Sequence, residues 1–119
     1  MNYKTHNQKE IDVNGAIFQG ELITTYDKLV EAFGKPTISN KYKIDAEWVI
    51  EFYPENEKEP VIATINNWKI GAEGWDIEEI TYWHIGGYKP IVNEYVKDIL
   101  DNIHIDYLNT LNNTDDDKN

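Results

Sequence analysis

Cysteine and arginine are both absent from this 119-residue chain, and serine occurs only at Ser39. Without cysteine there are no disulfides, thiolate metal ligands or cysteine nucleophiles. Without arginine there is no planar guanidinium fork for bidentate contacts to phosphate or carboxylate, which argues against a phosphoryl-handling enzyme. Ser39 lies in Thr-Ile-Ser-Asn, not on a G-x-S-x-G elbow. No glycine loop runs into Gly-Lys-Thr/Ser, so the P-loop pattern is missing as well. Apolar runs are too short to span a bilayer. Met1 to Glu10 is polar with no apolar stretch behind it, so a cytoplasmic location is expected.

What the chain has in excess is negative charge: 22 acidic residues against 11 lysines, a formal net of −11. Such a field repels nucleic acid and anionic membranes and attracts basic surfaces. It also keeps a small protein dispersed, with no partner involved. Ile, Asn, Lys and Tyr are abundant while Arg is absent, as AT-rich codons produce. That pattern points to a low-GC bacterium or one of its phages.

Local patterning predicts a single α+β domain: a three- to four-stranded antiparallel sheet with a short N-terminal helix and a long C-terminal helix on one face. Residues 1–14 lack periodicity and read as a flexible arm, and 112–119, with three consecutive aspartates, as a disordered acidic tail. The domain is expected to fill 15–111. Ala16–Phe18 and Leu22-Ile23 suggest a short strand or hairpin turning at Gly15 and Gly20. Thr25 caps a helix from about Tyr26 to Phe33, with Gly34 at its end and Pro36 beyond. From Tyr42 to Tyr53, Ile44, Ala46, Trp48, Ile50 and Phe52 alternate with Lys43, Asp45, Glu47, Val49 and Glu51. This gives a strand with one apolar and one mostly acidic face. A polar tip, Pro54 to Pro60, leads to a return strand, Val61–Ile70, and then a third, Ile77–Ile85. Pro90 opens the second helix, whose apolar spacing runs to about residue 111. The order α, three strands, α is also that of a double-stranded-RNA-binding domain. The acidic surface excludes the phosphate contacts such a domain needs.

The candidate binding residues follow from this layout. Asp45, Glu47 and Glu51 lie two or four residues apart on one strand face, at steps of about 7 Å, close to the spacing of phosphates along DNA. Glu55 and Glu57 extend the row at the tip, and Glu79 comes from a neighbouring strand. Trp68, Trp75, Trp83 and Tyr88 gather at strand ends and glycine-rich turns, where aromatics flanked by acids suit protein interfaces. The acidic row serves equally as the solvated side of a half-buried sheet, and the aromatics equally as packing under turns. His6, His84 and His104 have no metal-ligand spacing. No catalytic set, metal or cofactor is expected.

Four segments carry a family resemblance: Thr25-Tyr26-Asp27-Lys28-Leu29-Val30-Glu31-Ala32-Phe33-Gly34-Lys35-Pro36, Tyr42-Lys43-Ile44-Asp45-Ala46-Glu47-Trp48, Ala63-Thr64-Ile65-Asn66-Asn67-Trp68-Lys69 and Trp83-His84-Ile85-Gly86-Gly87. In this order they resemble a group of small phage and prophage proteins with no established enzymatic activity. The resemblance spans roughly residues 20–96. It implies a phage source and, by association, an inhibitor of host immunity such as an anti-CRISPR or anti-restriction protein.

The expectation is therefore a non-enzymatic, DNA-mimic-like inhibitor that binds the basic, nucleic-acid-binding surface of a bacterial defence protein, with homodimerisation open. Two alternatives remain: an immunity protein neutralising a basic toxin, and a protein sequestering a small nucleotide signal.

Overall fold

The computed structural model describes residues 1–7, 11–38, 46–67 and 77–103. Six strands form one antiparallel sheet: β1 (Asn2–Thr5), β2 (Ile17–Ile23), β3 (Thr37–Ile38), β4 (Ala46–Tyr53), β5 (Val61–Asn66) and β6 (Tyr82–Gly87). Their spatial order is β1-β4-β5-β6-β2, and β3 pairs with the remaining length of β4 beside β1. Helix α1 (Tyr26–Phe33) and helix α2, described over residues 92–103, complete an α+β fold.

The alternation in β4 does what its pattern dictates. Ala46, Trp48, Ile50 and Phe52 are fully buried, and Val61, Ala63, Ile65, Trp83 and Ile85 continue the same face across β5 and β6. Leu29, Ala32 and Phe33 of α1 and Val92 and Val96 of α2 belong to the same cluster. Each large side chain removed from water in this way contributes about 1.5–3 kcal/mol. Trp48 and Trp83 meet edge-to-face at its centre, with ring centroids 5.4 Å apart.

Helix α1 has the predicted bounds. The Thr25 hydroxyl accepts the Lys28 N–H at 3.2 Å, and Gly34 at φ +81° donates its N–H to the Val30 carbonyl. The carbonyls at its C-terminus have no partners within the helix. Side chains from elsewhere supply them: Tyr3 Oη donates to Ala32 O (2.9 Å), Asn7 Nδ2 to Phe33 O (2.6 Å) and Trp48 Nε1 to Gly34 O (2.7 Å). At the other end Trp83 Nε1 donates to Thr24 O at 3.1 Å.

Several expectations need correcting. Residues 2–5 are not part of a loose arm but strand β1, in register with Tyr53 to Ile50. Tyr3 packs its ring on Phe33 and Phe52. The sheet has six strands rather than three or four because β1, β2 and β3 all join it. Gly20 is not a turn: β2 passes through it, and a methyl group there would collide with Asn93 Oδ1 of α2. The strand expected from Ile77 starts only at Tyr82, after a single 3-10 turn at Ile77–Glu79. Lys89 and Pro90 form a tight turn, and the helix proper begins at 92. The expected strand residues 42–45 and 68–70, the helix beyond 103 and the acidic tail lie outside the described residues.

Two short strands cannot cover the full length of β4, and between them the edge is closed by a side chain. The His6 N–H donates to Val49 O, and the Val49 N–H is accepted by Asn7 Oδ1 at 3.1 Å. Asn7 is buried, and its amide is engaged at both atoms, with β4 and with α1.

Candidate protein-binding surfaces

The outer face of the sheet, opposite the helices, carries the acidic residues the alternation predicted. Glu47 and Glu51 both lie there, four residues apart on β4, and Asp45 lies outside the described residues. Strand registers place Thr37, Glu47, Asn66, His84 and Glu21 in one transverse row, and Lys4, Glu51 and Ile62 in another.

Neither β4 carboxylate is a free, fully hydrated charge. Burial raises the pKa of Glu47, which sits half-buried between Thr37 of β3 and Asn66 of β5. Glu51 is lowered, chiefly because the Tyr53 hydroxyl donates to it. The His6 Nε2–Glu51 Oε1 contact at 3.2 Å and the charge of Lys4 act in the same direction, and partial burial opposes them. The same hydrogen bond raises Tyr53, and a hydrogen bond to Glu21 raises Tyr82.

The hairpin tip between β4 and β5 is different. Glu55, Glu57 and Glu59 are all exposed there. Glu57 lies 3.6 Å from Lys89 Nζ, a solvent-facing pair that contributes little to stability. Glu79 is exposed on the 3-10 turn. Among the described residues Lys89–Glu57 is the one lysine–carboxylate pair, and His6 contacts Glu51, so Glu55, Glu59 and Glu79 have no cationic partner there.

The aromatic expectations divide. Trp83 is fully buried and cannot anchor a partner: it alternates with Tyr82 and His84, and its position puts it on the core face against Trp48. Tyr88 is exposed, and its hydroxyl donates to Asn14 O at 2.9 Å. Trp68 and Trp75 lie outside the described residues. His84 is half-buried on the outer face, flanked edge-on by Phe18 (5.2 Å) and Tyr82 (5.6 Å).

The feature missed in the sequence is that the short strand or hairpin expected around Gly20 is one continuous edge strand, β2. Among the described residues no strand lies beyond it, and Ile17, Phe18 and Ile23 are 66%, 58% and 80% exposed. Beside it runs a groove of about 520 Å³ between β2, α1 and α2, lined by Leu22, Ile23, Lys28, Lys97, Leu100 and Asp101 among others. The signal was present as the apolar residues Ile17, Phe18, Leu22 and Ile23 around Gly20, once that glycine is read as a close approach and not a turn.

Among the described residues no group of three or more His, Asp or Glu is placed to hold a metal ion, and no helix is long and apolar enough to cross a membrane. No family model, curated protein or solved structure matches the chain.

Proposed function

We propose that the protein is a non-catalytic inhibitor that occupies a basic, nucleic-acid-binding surface of a bacterial defence protein and excludes nucleic acid from it. The observation that carries this reading is the hairpin tip, where Glu55, Glu57 and Glu59 project into water beyond the end of β4. A projecting loop that stays net acidic despite Lys58 and the Lys89–Glu57 pair, on a chain of net charge −11, is steered towards basic clefts and away from nucleic acid. The resemblance to phage and prophage proteins directs the choice of targets to CRISPR effectors and restriction enzymes. Glu51 contributes less than its position suggests, because Tyr53, His6 and Lys4 already engage it. The charge that a partner meets first is that of the tip.

The test is displacement of labelled nucleic acid from purified CRISPR effectors and restriction enzymes, followed by fluorescence polarisation. Displacement should weaken at least about tenfold between low and high salt. The triple variant Glu55→Lys, Glu57→Lys, Glu59→Lys should abolish it. Displacement that survives both high salt and charge reversal rules out the electrostatic mechanism.

A further inference from the structure

Strand β2 offers a backbone edge, a groove with Leu22 and Leu100 among charged neighbours, and a carboxylate side by side. From this we infer that it is a strand-addition site for an extended segment of the partner, one that alternates apolar and basic side chains. The inference rests on the proposed function for the sign of the partner's charge, but its site is a different one.

A long terminal strand with exposed apolar residues is a ready template for another strand, and folded proteins usually blunt such an edge. One blunting device is present. A register shift between Phe18 and Gly20 marks a bulge at Gln19, whose carbonyl accepts Asn93 Nδ2 and whose side chain donates to Gly87 O. The bulge stops regular pairing on its N-terminal side. It leaves Gly20 to Ile23, in unbroken register with Ile85 to Tyr82, as the usable template.

The two sides of that template differ, and the difference sets the pattern of the incoming strand. Towards the helices lies the groove, with Leu22 and Leu100 as its apolar surfaces. Lys28 and Lys97 outnumber Asp101 around it, so it disfavours a basic side chain and leaves the Leu22 and Leu100 surfaces to an apolar one. On the outer face stand the Glu21 carboxylate, exposed and in contact with the Tyr82 hydroxyl, and the exposed ring of Phe18. A carboxylate beside aromatic faces suits a lysine or arginine side chain. Successive residues of an added strand face opposite sides, so one partner segment satisfies both surfaces by alternation. A second copy of this chain fits less well, because two bodies each carrying −11 repel and each brings its own Glu21 to the junction.

The experiment uses the ¹⁵N-labelled full chain and three capped eight-residue peptides: alternating Val-Lys, alternating Val-Glu, and Val-Lys with alternate backbone nitrogens methylated. The Val-Lys peptide should shift the amides of residues 20–24 and bind at least about tenfold tighter than Val-Glu. N-methylation and Ile23→Lys should each abolish binding. Shifts centred on 54–60, undiminished binding after N-methylation, or sedimentation showing a dimer that Ile23→Lys dissolves would each overturn the assignment. Displacement of nucleic acid with no strand binding defeats this inference alone. Strand binding with no displacement defeats the proposed function alone.

Discussion

The sheet has two edges, and they are finished in opposite ways. On the β4 side two strands of four and two residues share the edge, and the gap between them is closed by the buried amide of Asn7. On the other side β2 runs for seven residues with apolar side chains in water and a groove alongside. Short strands, a nearby lysine at position 4 and a proline at 36 are what a sheet uses to prevent further pairing. The contrast teaches that exposure of the β2 edge is not forced by the fold, since the same chain closes the edge across from it.

The largest expected effect breaks the closed edge. Asn7→Ala leaves the Val49 N–H and the Phe33 carbonyl buried without partners, and should cost about 2–4 kcal/mol in urea unfolding. Asn7→Asp keeps the acceptor for Val49 and loses the donor to Phe33, so it should fall between. A loss below about 0.5 kcal/mol for Asn7→Ala would mean that water or a shifted backbone closes the gap equally well.

Next comes the packing that holds β2 against α2. Gly20→Ala forces Asn93 aside and should cost about 1–3 kcal/mol. Combined with Asn93→Ala the loss should be less than additive, which a double-mutant cycle measures. Full additivity would show that the glycine is needed for its backbone and not for this contact.

A smaller effect distinguishes the two β4 carboxylates by pH. Glu51 is held below the usual 4.5, so it adds stability above that value that is lost as pH falls through its lowered folded pKa. Glu51→Gln should flatten the acid limb of the stability curve. Glu47 is raised, so it costs nothing below 4.5 and its penalty grows as pH climbs through its folded value. Glu47→Gln should raise the thermal midpoint at pH 7 and leave it nearly unchanged near pH 4. The smallest effect belongs to the open edge. Ile23→Lys, at a position 80% exposed, should alter unfolding free energy by less than about 0.5 kcal/mol. A larger loss would mean that β2 is already covered by something in the folded chain.

The elements legible in the sequence are those whose determinants are local. Thr25 and Gly34 bracket α1 because caps act within three or four residues, and the β4 alternation states which face is buried. Strand β1 was illegible because Asn-Tyr-Lys-Thr has one apolar residue, and its pairing partners lie in β4, more than forty residues along the chain. Trp83 was misread because glycines and aromatics around it suggest a surface turn, while its burial depends on Trp48 and Thr24 from other strands and turns. For the candidate surface, alternation gave Glu47 and Glu51 a common face. It gave no sign that His6 and Lys4 of the N-terminal segment would reach Glu51, or that Glu47 would lose water between β3 and β5.

Helix α1 has eight residues, too few to persist in water unaided. Trp83 holds the carbonyl just ahead of its cap, and Trp48, Asn7 and Tyr3 hold the carbonyls at its end. Its amides therefore should exchange with solvent only when β4 and β6 let go, at the rate of global opening and not by local fraying. During synthesis the same grip delays it. The helix cannot settle until Trp83 has left the ribosome, about 50 residues after its own last turn, so the earliest well-formed sequence signal in the chain belongs to one of the last pieces to become rigid.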